Sequence, residues 1–151
     1  MSARATFERC RAYALELESL HRELRALQEC QEACLSPRRR RAGGRTTTGG
    51  NSDPTASAAM ELEATTERRI DEVRGMIAEA GRYVGMVGAY VEHSREQGYG
   101  PWADVMELRF IGCMEWVDVA EACGISVRTA ERRAVQFCEW ADQDHALPSF
   151  W

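Results

Sequence analysis

The sequence predicts an all-α protein: a long, coiled-coil-like helical hairpin followed by a C-terminal helix–turn–helix unit. Three observations predict it. Two long segments repeat apolar residues at alternating spacings of three and four, the period of a helix face. No stretch alternates apolar with polar residues as a half-buried strand does. Residues 115–133, EWVDVAEACGISVRTAERR, break one helical stripe with a glycine and start another a few residues later.

Residues 1–35 form the first element. Cys10, Tyr13, Leu17, Leu20, Leu24, Leu27 and Cys34 fall on one seam, with Gln31 as its polar exception and Glu and Arg between. Such an amphipathic helix needs a partner to be stable in water. Residues 36–56, SPRRRRAGGRTTTGGNSDPTA, show no periodicity and read as a flexible basic linker. Its Arg38, Arg39, Arg40 and Arg41 are either a solvated tract or sequence-blind phosphate contacts. Residues 57–97 carry the second long helix, with a seam of Ile70, Val73, Ile77, Ala80, Val84, Val87 and Val91. Gly75, Gly81, Gly85 and Gly88 each cost a helix up to ~1 kcal/mol against Ala, so close helix approach is their expected value. The partner of this helix is the first helix, folded back antiparallel; a homodimer, each helix pairing in parallel with its copy, is the rival arrangement.

Residues 98–141 form the last unit. Gly98-Tyr99-Gly100-Pro101 punctuates the chain, and Trp102–Ile111 is a short helix with Val105, Leu108 and Phe110 or Ile111 inward. Val119, Ala120 and Cys123 then give a helical stripe ended by Gly124, the residue type that enters the left-handed region without steric cost. Ile125 plugs a core position. Ser126 is placed to cap the following helix, whose inner face is Ala130, Ala134, Phe137 and Cys138. A helix, a short glycine-containing turn and a second helix is either an ordinary αα corner or the arrangement whose second helix enters a DNA major groove. Residues 142–151 read as a loose tail on which Phe150 and Trp151 could tuck onto a surface.

Charge bears on the choice. The 151-residue chain has a net charge of -5. Residues 98–151 hold four Arg and nine acids, also a net of -5, so this unit repels DNA overall. Yet Arg128, Arg132 and Arg133 lie within one and a half turns of each other, a local basic edge on an acidic body. A partner that brings DNA close would resolve the conflict. The six cysteines contain no C-x-x-C pair. Cys30 and Cys34 are four apart but lack a second ligand pair at metal spacing, so thiols in a reducing compartment and no metal or cofactor are expected. No apolar run approaches the ~18 residues of a membrane span, and the N-terminus MSARATFERCR lacks the apolar region of a secretory signal.

The stretch DVMELRFIGCMEWVDVAEACGISVRTAERRA resembles region 4 of sigma-70-type factors. The shared skeleton is Met106, Leu108, Arg109, Phe110 and Ile111, then Trp116, Val119 and Ala120, Gly124 to Ser126, and a basic helix. The layout of the whole chain resembles small phage regulators of the RinA and ArpU type, which activate late or packaging operons. The resemblance is carried by roughly residues 104–137. It implies recognition of double-stranded promoter DNA, contact with host RNA polymerase, and residence in the cytoplasm of a bacterial host. Ser126, Val127, Arg128, Glu131 and Arg132 match groove-facing positions, and Thr129 and Gln136 complete the candidate interface. Arg109, Trp116 and Arg133 match backbone-contacting or framing positions. Val127 stands where the family is usually polar. Arg133 stands where many relatives have an inward apolar residue, so it is expected to point along a phosphate backbone.

Other classes remain. A DNA-packaging (small terminase-like) subunit would join such a helix pair to an oligomerising helical region. A protein-binding adaptor would use the acidic C-terminal unit to grip a basic partner. Catalysis is not expected. His21, His93 and His145 have no acid or thiol at a repeatable spacing, and no glycine-rich phosphate loop joins a strand to a helix.

Overall fold

A computed structural model describes residues 2–41 and 54–144, with the side chains of residues 2–35 and 55–144. The described residues are helical and contain no strand. The elements are α1 (Ala3–Arg41), α2 (Pro54–Ser94), α3 (Gly100–Met106, continued by a widened turn over Glu107–Ile111), α4 (Trp116–Cys123) and α5 (Val127–Asp144). The protein is all-α, as the periodicity predicts. The chain divides into two units, Met1–Glu18 with Ala78–Trp151, and Ser19–Ile77.

In the first unit the core gathers from every helix. Phe7 of α1 is fully buried, with its ring 5.6 Å from Phe110 and 5.8 Å from Phe137. Val87, Tyr90 and Val91 from α2, Val105 and Met106 from α3, Val119 from α4, and Ala130 and Phe137 from α5 join the same cluster. Tyr83 of α2 donates from its hydroxyl to the Thr6 carbonyl (3.4 Å) and lays its ring 5.0 Å from Tyr13. The chain kinks after α2, where Gly98 at φ +96° interrupts the helical backbone within Arg95–Tyr99. Arg95 spans the kink: its guanidinium pairs with Glu92 of α2 and with Asp104 (3.0 Å) and Glu107 beyond the bend.

In the second unit Leu20, Ile70 and Val73 are the buried hydrophobics among the described residues. Arg69 of α2 pairs with Glu23 of α1 at 2.7 Å.

Several element boundaries and one role differ from expectation. Helix α1 continues through residues 36–41: Arg is a good helix former, and the helix runs on past Pro37 although that residue removes a backbone donor and crowds the carbonyl four residues earlier. The linker expected over 36–56 therefore loses both ends, with α2 starting at Pro54, where a missing N–H matters least. Residues 42–53 lie outside the described residues, as do the side chains of Arg38–Arg41. Helix α5 runs to Asp144 rather than 141, and 145–151 with Phe150 and Trp151 lie outside the description. The seam of α1 begins earlier than Cys10, with Ala3, Thr6 and Phe7 buried, and Cys34 is exposed. The α2 glycines do not mediate close approach at three positions. A Cβ added to Gly75, Gly81 or Gly85 would meet nothing within 4 Å, and only Gly88 faces a neighbour, Ile111 Cδ1 at 3.7 Å.

Candidate nucleic-acid interface

The candidate site is the α4–turn–α5 pair and the face it presents. Its first support is the joint between α3 and α4. Gly112 donates to the Glu107 carbonyl (2.8 Å) and Met114 to that of Leu108 (3.0 Å). A Cβ on Gly112 would sit 3.0 Å from the Leu108 oxygen, which explains glycine there. Cys113 follows at φ +56°, an uncommon conformation for a residue with a side chain. Two arginines fix this joint. Arg109, whose side chain is 14% exposed, donates to the Met114 carbonyl (2.7 Å), pairs with Glu115 (3.2 Å) and lies 4.8 Å over the Trp116 ring. Arg11 of α1 reaches Glu115 from the other side (2.7 Å). The Arg109 hydrogen bond, then its charge and that of Arg11, hold the Glu115 carboxyl below its ordinary range. Trp116 opens α4 with its ring edge on Phe110.

The turn is built as its letters predict. Gly124 is left-handed at φ +65°. Its N–H reaches the Glu121 carbonyl (3.1 Å) and that of Ile125 the Ala120 carbonyl (2.9 Å), the paired bonds of a Schellman ending. Ser126 Oγ accepts from the Thr129 N–H (3.2 Å) and lies 2.8 Å from Thr129 Oγ1, so Ser126 caps α5.

The sequence-predicted residues then divide by face. Ala130, Ala134, Phe137, Cys138 and Ala141 turn α5 into the core. Arg128, Glu131 and Arg132 are exposed, and Val127 and Thr129 are half-buried, Thr129 being engaged in the cap. Among the described residues neither Arg128 nor Arg132 has an ion-pair or hydrogen-bonding partner, so Glu131 does not tie them down. They stand at i and i+4, neighbours on one surface. Arg133 and Gln136 go elsewhere. Trp102 Nε1 donates to Gln136 Oε1 (3.1 Å). The Arg133 guanidinium lies 5.8 Å from the Trp102 ring and donates to the Pro101 carbonyl (3.4 Å). These two join α5 to the start of α3 instead of lining the open face. Arg109 and Trp116 are likewise a frame.

Two further residues border that face. Val135 is 49% exposed and lies on the same outward side as Arg128 and Arg132, as its place outside the 130/134/137/138 stripe implies. Arg4 lines a groove of about 320 Å³ with Glu8, Trp116, Val135, Glu139 and Asp142. The start of α1 is held there by the Ala3 N–H donating to Asp142 Oδ1 (2.6 Å). No local signal brings Arg4 to α5 across so many intervening residues.

Cys10 and Cys138 are packed in the core, and burial pushes their thiols up to about 12 and about 11 respectively. No group of His, Cys, Asp or Glu among the described residues is arranged to hold a metal ion. None of the described helices is long and apolar enough to cross a membrane. The chain matches no family model, no curated protein and no solved structure.

Proposed function

We propose that the α4–turn–α5 pair reads double-stranded DNA, and that the protein is a sequence-specific transcriptional regulator. In this reading it activates phage late or packaging genes together with host RNA polymerase. The observation that carries it is the exposed pair Arg128 and Arg132, without ion-pair or hydrogen-bonding partners among the described residues, side by side in the first turns of a capped helix that follows a tight left-handed turn. Those turns are what enters the major groove in this arrangement. The Arg fork suits the O6 and N7 acceptors of guanine. Buried or paired arginines would argue for a plain αα corner; among the described residues these are neither.

The surrounding charge sets the conditions. The unit containing this face holds 9 Arg and 15 acids, a net of -6 (9 - 15), from its two stretches 1–18 and 78–151. Phosphate attraction is the main source of unaided DNA affinity, so binding by the protein alone is weak and a DNA-bound partner such as RNA polymerase raises it. A gel shift against phage upstream DNA, with and without polymerase, tests this. A band that strengthens with polymerase and is lost with Arg128→Ala/Arg132→Ala supports the reading. Full affinity without polymerase would favour a self-sufficient repressor or packaging subunit. No shift under either condition would leave the adaptor role.

A further inference from the structure

We propose that the unit Ser19–Ile77 is a self-association module, and that a second copy of this chain covers the apolar stripe its two helices leave open. The inference stands apart from the DNA reading. The unit buries few hydrophobic side chains among its described residues. The described parts of α1 and α2 here span residues 19–41 and 54–77, yet Leu20, Ile70 and Val73 are their only buried hydrophobics among the described residues. Along α1 burial thins outward on one helical face: Leu20 is buried, Leu24 and Leu27 are half-buried, and Cys34 and Leu35 are exposed. On α2 the inner positions below Ile70 are Thr66, Glu63 and Ala59, which offer that stripe almost no apolar surface, while Met60 and Leu62 stand beside them 63% and 54% exposed. A helix pair of this length derives its stability from packing an apolar face rather than from propensity. A face left this open is an incomplete core, and two copies of it complete a four-helix bundle.

Charge selects a second copy as the occupant. The unit holds 10 Arg and 9 acids, a net of +1, with five of those Arg at positions 38–45, whereas the rest of the chain carries -6. Two copies can therefore approach through Ser19–Ile77 without the repulsion that the acidic remainder would impose. A two-fold contact places the same mixed-sign surface on both sides, where opposite charges can be matched. The pairing would also give each assembly two α5 faces, the form in which helix–turn–helix proteins bind paired half-sites.

The test is the mass of the full chain by light scattering or sedimentation across a concentration series. The expected result is a species of twice the 17.0 kDa chain mass. Met60→Glu/Leu62→Glu changes two exposed residues and should return it to the single-chain mass with its helical circular dichroism unchanged. Hydrogen exchange of the unmodified protein provides a second readout: protection of amides in residues 24–35 and 56–66 should rise with concentration. A single-chain mass throughout would overturn the proposal. So would a dimer that survives the double substitution, or concentration-dependent protection confined to α3–α5. If the double variant does not fold, the exchange pattern of the unmodified protein decides.

Discussion

Phe7 is the sharpest lever on the fold, because it fastens the first turns of α1 to a helix more than a hundred residues away. Its side chain is fully buried and touches two aromatic rings, Phe110 at 5.6 Å and Phe137 at 5.8 Å. Phe7→Ala deletes the ring between them. Truncations of this kind cost ~3–5 kcal/mol, from lost transfer free energy and the residual cavity. A domain near a hundred residues loses ~4 °C or more of melting temperature per kcal/mol. The expected drop is therefore ~12–20 °C. The assay is a thermal melt followed both by circular dichroism at 222 nm and by near-ultraviolet signal from Trp102, Trp116 and Trp140. Both probes should move together, because α3, α4 and α5 share the core that Phe7 fills. A melting temperature within a few degrees of the parent would refute the assignment of α1's first turns to this core.

Other expectations follow from the same contacts. Gly124→Ala forces a side chain into the left-handed region and should cost ~1–2 kcal/mol, read by urea denaturation, while Gly124→Asn should be milder; equal stability of Ala and Gly would mean that the turn is not left-handed. Arg109→Ala strips the Met114 carbonyl of its donor and uncovers Trp116, for a loss of ~1–3 kcal/mol, and a neutral result would make the frame dispensable. The depressed Glu115 carboxyl favours the folded state above its unfolded pKa, and that contribution is lost as pH falls through the lower folded value. Acid melts should therefore fall less steeply in Glu115→Gln than in the parent, and identical acid limbs would remove Glu115 from the account. The exposed thiols Cys30 and Cys34 should react with Ellman's reagent within the mixing time, while Cys10 and Cys138 wait for unfolding; early reaction of all six would deny the buried core.

The helices were legible because their signals are local. The spacing from Ile70 to Val91 marks one face of α2, and Gly124 followed by Ser126 fixes a turn whose hydrogen bonds form as the residue types require. Helix ends were less legible. The tract after Leu35 reads as a linker by composition, yet Arg supports a helix, and only the backbone decides between the two through Arg41. The glycines of α2 mislead for a related reason: a small residue permits close approach but does not demand it, and Gly75, Gly81 and Gly85 face open space. Within the candidate site, the separation of Arg128 and Arg132 from Arg133 and Gln136 depends on Trp102, some thirty residues earlier. Arg4 reaches the same groove as Val135 through the docking of α1 on α5, which no spacing within either helix encodes.

The central claim is that Arg128 and Arg132 read bases. It is tested most directly by selecting binding sites from a random duplex library in the presence of bacterial RNA polymerase, with the parent protein and with Arg128→Ala and Arg132→Ala separately. The parent is expected to enrich a motif containing guanines. Each variant should lose discrimination at a different position of it, by the ~1–3 kcal/mol of one bidentate contact, while its melting temperature stays at the parent value. A library that enriches no motif, or variants that retain the full parental preference, would contradict it.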